Sequence, residues 1–177
     1  MKKNHLLSTL LLGAVLSGTA IADEAAMNDL EIAHTAYTAG QLDIRYAHLA
    51  LALSEDDAVR EFASLMIRDH TAVNAEAGAL IEELNVTPQD NDLSQVLVKG
   101  AAEKRAEFVE LSGKAFDCAY AQNELGYHQV VNQTVGEKFI HWATVPQLKS
   151  LLEDALVTFK AHEAHAEQMV ADLACAS

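Results

Sequence analysis

The segment "TFKAHEAHAEQM", residues 158–169, sets His162 and His165 on either side of Glu163. Neutral imidazole and carboxylate oxygen are both ligands for first-row divalent ions, so this run and others like it are candidates for cation binding. Glu124 and His128 are four apart, which puts both on one face of a helix. Asp69 and His70 are adjacent, and Asp43 is the single carboxylate in a face of small residues made by Ala36, Ala39, Gly40, Ala47 and Ala50. Without a cation the same residues could form a structural plug, with Asp43 and Glu124 accepting hydrogen bonds from His70, His128 and His162. The choice depends on whether the elements carrying them bring them to one place.

Those elements read as helices. Glycine and proline are sparse after residue 22, the only prolines are Pro88 and Pro146, and no Val-Ile-Thr-rich alternating run suggests a strand. A first helix is expected from about Glu24 to Leu53. Ser54-Glu55-Asp56-Asp57 then resembles a capping box that starts a second helix running to about Leu84, antiparallel to the first because no loop separates them. A shorter amphipathic piece spans Leu93 to Leu111, broken by Ser112-Gly113. A long helix follows from Lys114 to about Trp142, and Pro146 opens a last one reaching about Ala174, where its missing N–H costs nothing. The expected architecture is an all-α four-helix bundle with a short extra helix in the crossover between the second and third long helices.

Periodicity orients these helices. In the last one Leu148, Leu152, Ala155, Phe159, His162, Ala166 and Met169 recur at three and four residues and define a buried seam, with His165 beside it and Glu163 at its edge. Val59, Phe62, Met66, Val73 and Ala77 do the same in the second helix, with Asp69-His70 flanking. Ala121, Glu124, His128, Val131 and Val135 do so in the third long helix. Counted from the helix ends, Asp43, His70, His128 and His162 fall within about one turn, or roughly 6 Å, of a common level. Buried polar groups without partners cost several kcal/mol each, so four at one level call for mutual pairing or a bound ion. The candidate ligand set is Asp43, His70, Glu124, His128, His162 and His165, for one first-row ion such as zinc, copper or iron. Met66 with His70, and Met169 with His165, have a spacing that would suit copper, although methionine at helical spacing is more often plain core.

The ends and composition bound the rest. Lys2 and Lys3, an apolar run from Leu6 to Leu16 and the small-residue close at Ala20-Ile21-Ala22 read as a cleavable signal peptide over 1–22, too short for a membrane span. The remaining 23–177 fits one domain. Two of the twelve basic residues lie in that leader, and the other ten face twenty-six acidic ones. Nucleic acid and anionic membrane surfaces would be repelled, and cations attracted. The leader, with no cysteine after it to carry a lipid and no second long apolar segment, predicts a periplasmic protein with no integral span. Cys118 near the start of one long helix and Cys175 at the end of its antiparallel neighbour predict a disulfide across 57 residues. Two separate thiols are the alternative.

The motifs "REFASLMIRDHTAVN" (60–74), "LSGKAFDCAY" (111–120), His128 eight residues further on and "TFKAH" (158–162) resemble a bacterial ferritin-like domain of unknown function, the DUF4142-type "predicted outer membrane protein" family. The resemblance covers about Asp29 to Leu173. It implies a ferritin-like bundle in the periplasm or at the outer membrane, with recurrent polar residues at Asp43, His70, His128 and His162. In this chain Asp43 stands where that family usually has glutamate. The resemblance implies no activity.

Three functions compete. One is metal binding in the bundle centre. Another is a non-catalytic envelope or stress protein whose polar core is purely structural. The third is a di-iron oxidase, which needs two Glu-x-x-His pairs and two further glutamates, whereas Glu31-Ile32-Ala33-His34 alone has that spacing. No serine or cysteine nucleophile with a matching base, and no phosphate-cradling glycine loop, can be read out.

Overall fold

The computed structural model describes residues 26–175. The expected signal peptide, the mature start at Asp23 and the first helix residue Glu24 all lie outside that range. Helix α1 spans Asp29–Leu53. It starts there because the Asn28 side chain accepts from the N–H groups of Leu30 and Glu31 while the Glu31 carboxylate accepts from the Asn28 N–H, a reciprocal cap that satisfies otherwise orphaned donors.

Helix α2, Asp57–Leu84, is capped by Asp56, whose side chain accepts from Ala58 and Val59. This corrects the Ser54 cap expected from sequence. Ser54 is buried, and its hydroxyl donates to Asp117 at the start of the third long helix.

Helix α3, Asp92–Phe108, is the crossover piece, capped by Asn91. Gly113 takes up a left-handed φ of 52° and opens α4, Gly113–Thr134. That rod continues through one π-helical turn, Val135–Phe139, into the short α5, Ile140–Trp142. Pro146 begins α6, Pro146–Asp172. Asp29 accepts from the backbone N–H groups of Thr144 and Val145, tying the foot of α1 to the start of α6.

These ties fix the topology. Gln89 donates to the Leu30 carbonyl at the foot of α1, so the chain leaves α2 at the bottom and α3 climbs beside α1. The Ser54–Asp117 bond places the start of α4 at the top, so α4 runs parallel to α2 and antiparallel to α6. The result is the ferritin-like bundle with one crossover, and no strand occurs among the described residues. At the top, Cys118 and Cys175 form a disulfide with Cα atoms 5.4 Å apart.

The core is in two parts. An upper cluster holds Tyr46, Phe62, Met66, Phe108, Phe116, Tyr120 and Met169, among others. Met66 and Met169 are therefore packed as apolar core. A lower cluster holds Ile32, Val135, Phe139, Leu148 and Leu152. Between them the apolar seams of four helices are interrupted at one level by buried Asp43, His70, Glu124, His128 and His162.

Candidate metal centre

Each rod contributes to this layer: α1 supplies Asp43, α2 supplies His70, α4 supplies Glu124 and His128, and α6 supplies His162. All five are no more than 3 % exposed. One ligand atom from each of His70, His128 and His162 lies within 4.8 Å of the other two, and the same holds for Asp43, Glu124 and His128. His128 belongs to both sets, so the five residues form one centre. Asp43 Oδ2 is 3.2 Å from His70 Nε2 and 3.5 Å from His128 Nε2.

Two of the three imidazoles have a fixed tautomer. His128 Nδ1 lies 2.9 Å from the carbonyl of Glu124 one turn earlier, so Nδ1–H donates and Nε2 keeps its lone pair toward the centre. His162 does the reverse. Its Nε2–H donates to Asp69 Oδ2 at 3.0 Å, leaving Nδ1 buried and free. Asp69 is in turn held by Arg68 at 2.7 Å. The His70 ring is positioned by stacking on Phe159, with centroids 4.8 Å apart.

The hydrogen bonding within the layer does not close. Asp43 Oδ1 and Oδ2, His70 Nδ1 and Nε2, Glu124 Oε2, His128 Nε2 and His162 Nδ1 are all buried with no hydrogen-bond partner. Native interiors leave few such atoms, and each costs about 1–3 kcal/mol. Asp43 Oδ2 is within ion-pair reach of His70 Nε2 and His128 Nε2, but neither contact has hydrogen-bond geometry, so the layer falls short of a self-satisfied plug.

The charges are arranged for a cation. Burial pushes the Asp43 carboxyl up, but the His70 ring, helped by His128 and His162, offsets this and holds it below its ordinary value. Burial, and then the Asp43 charge, drive Glu124 well above the usual carboxylate range. Burial lowers His128, despite the opposing pull of Asp43. Burial also brings His162 down to about 4. At pH 7 these two rings are therefore neutral imidazoles with free lone pairs, the form that binds metal. A trio of imidazoles with buried carboxylates is a donor set for a borderline divalent ion.

Five of the six residues expected from sequence converge, and His165 does not. It is exposed, with its ring edge-on to Phe62 at 5.0 Å, because the inward position after His162 on α6 is Ala166. Glu31 and His34 are also far from the centre. Glu31 caps α1, and His34 Nδ1 lies 3.8 Å from Asp90. Sequence reading did not assign roles to Asp69, Asn74 or Asn132. Asn132, one turn beyond His128, donates to the Phe159 carbonyl and to Glu163, which places Glu163 at the edge of the layer. Asn74 is one turn beyond His70, and the i+4 spacing of both asparagines from a buried histidine was the available signal.

Residues 15–169 match the Domain of unknown function DUF4142. The chain belongs to this family. None of the curated proteins matches this DUF4142 chain. Two solved structures share its fold. One is a DUF305 protein from Streptomyces coelicolor described as secreted, 12 % identical, with a TM-score of 0.70 over 82 % of this chain and 93 % of that one. The other is CopM in its Cu(II)-bound form, 13 % identical, with a TM-score of 0.64 over 84 % of this chain and 99 % of that one. At these identities the likeness to the DUF4142 chain is one of fold. Among the described residues no helix is long and apolar enough to cross a membrane.

Proposed function

We propose that this protein binds one first-row divalent transition ion in the middle of the bundle, with His70 and His128, and His162 through Nδ1, as nitrogen ligands and Asp43 as the carboxylate ligand. The carrying observation is the set of seven buried, ligand-capable atoms that no hydrogen bond satisfies. Ligands about 2.1 Å from one ion are at most about 4.2 Å apart, and within each of the two triads the ligand atoms lie within 4.8 Å of one another. Glu124, whose carboxyl is pushed up by burial and by the Asp43 charge, can join as a fifth group when positive charge enters. Copper(II) is the preferred ion, since it heads the affinity order for nitrogen and oxygen donors and the fold is shared with a copper-bound protein. Binding, storage or delivery of the ion, rather than catalysis, is the role that fits. The setting is the periplasm, reached after removal of residues 1–22. The intact Cys118–Cys175 disulfide supports an oxidising compartment.

Elemental analysis of mature protein carrying no affinity tag, alongside a His128→Ala, His162→Ala double variant, tests this. The expected result is one ion per chain in the parent and none in the variant. Equal metal content in the two would remove the proposal. Two irons per chain would favour the di-iron reading instead.

A further inference from the structure

Below the metal layer the bundle is not filled. A cavity of about 150 Å³ lies among α1, α2, α4 and α6, lined by Ala36, Val73, Ala77, Val131, Leu152 and Phe159. Its origin is in the sequence. The α1 face carries Ala33, Ala36, Ala39 and Gly40, too small to reach α4 in this half of the molecule. His70, His128 and Asn74 close its upper end. The lining residues Tyr37 on α1 and Val130 on α4 are 39 % and 62 % exposed, so the cavity reaches the surface.

The lining specifies an occupant. A dry cavity of about this size, walled by aliphatic and aromatic groups, accepts a benzene-sized molecule. Water is a poor filler, because each molecule needs two to four polar partners and this wall is almost wholly apolar. Asp29, Thr35, His70, His128 and Thr134 also touch the space but contribute little of its wall, and beside them Asn74, 6 % exposed, has an amide Nδ2 with no hydrogen-bond partner. Its side chain is pressed against the α1 backbone at Gly40, where a Cβ would come within 2.7 Å of Oδ1 and 2.9 Å of Nδ2, so the amide is held in place where it meets the cavity. No lysine or arginine lines the space, whereas Asp29 does, so an anionic ligand would be desolvated without compensation.

We infer that this cavity is a binding site for a small uncharged organic molecule, about one aromatic ring in size, carrying a single oxygen that accepts from Asn74. The site stands apart from the metal reading, since it requires no ion.

Titrating metal-free mature protein with phenol, benzene and sodium benzoate at pH 7 tests it, read by calorimetry and by the methyl resonances of Val73, Val131 and Leu152. Phenol is expected to saturate and to shift those methyls, to bind several-fold more tightly than benzene, and to outbind benzoate at least tenfold. Ala36→Leu and Ala77→Leu, which occupy the space, should each weaken phenol tenfold or more. Asn74→Leu should erase the preference for phenol over benzene. Benzoate binding as well as phenol, or lining methyls that stay still while surface methyls move, would overturn the site. Should a filling variant not fold, the resonance shifts in the parent protein decide alone.

Discussion

His162 Nε2 lies 3.0 Å from Asp69 Oδ2, and this one contact decides which nitrogen of His162 keeps a free lone pair. Asp69 is at the rim, with its side chain 20 % exposed, yet it fixes the tautomer of a ring that is 2 % exposed. Partners of this kind, outside a metal site, typically change affinity 10–100-fold when removed. Asp69→Ala is therefore expected to weaken metal binding by that factor while leaving the helical content intact. A competition titration with a chromophoric chelator would measure it, and an unchanged dissociation constant would show that His162 is not a ligand through Nδ1.

The lowered imidazoles make stability depend on pH in a defined direction. His162, down to about 4 when folded against an unfolded value near 6.5, binds its proton more readily in the unfolded chain. Its contribution is full above about pH 6.5 and is lost as the pH falls toward 4, and His128 acts in the same sense. Between pH 7.5 and 5 the metal-free protein should lose on the order of 2 kcal/mol from His162 alone. Urea unfolding at the two pH values measures this, and a stability that rises on acidification would contradict the buried neutral ring.

Gly40 and Gly126 should respond oppositely to alanine. At Gly40 the new methyl meets Asn74 Oδ1 at 2.7 Å, and the collision is with a side chain pinned between two helices. Gly40→Ala should cost about 1–3 kcal/mol through overpacking. Gly126, within α4, has open space around its Cβ position, and Gly126→Ala should gain about 0.5–1 kcal/mol in helix propensity. Denaturant midpoints of the two variants, compared with the parent, separate the effects.

The Cys118–Cys175 bond closes a 57-residue separation that runs from within α4 to the end of α6. On the chain-entropy account, replacing both cysteines by alanine should lower stability by about 4 kcal/mol. A change below 1 kcal/mol would mean that the hairpin ends are held mainly by packing.

Much of this molecule was legible in the order of its residues. The three-four spacing on α6 was enough to assign Leu148, Leu152, Ala155, Phe159, His162, Ala166 and Met169 to the interior, since a helix has one repeat and a buried stripe must follow it. Counting along rods of known rise put Asp43, His70, His128 and His162 at one height, and the antiparallel run of the last two long helices predicted that Cys118 and Cys175 meet. Tertiary structure decided what counting within one helix cannot. Whether Ser54 caps α2 or bonds Asp117 depends on a residue 63 positions away. That Asp69 serves His162, that Asn74 rests on Gly40, and that a void remains beneath the centre all arise from contacts between rods. Local sequence sets the direction in which a side chain leaves its helix, but only the packing of the four rods determines what it meets there.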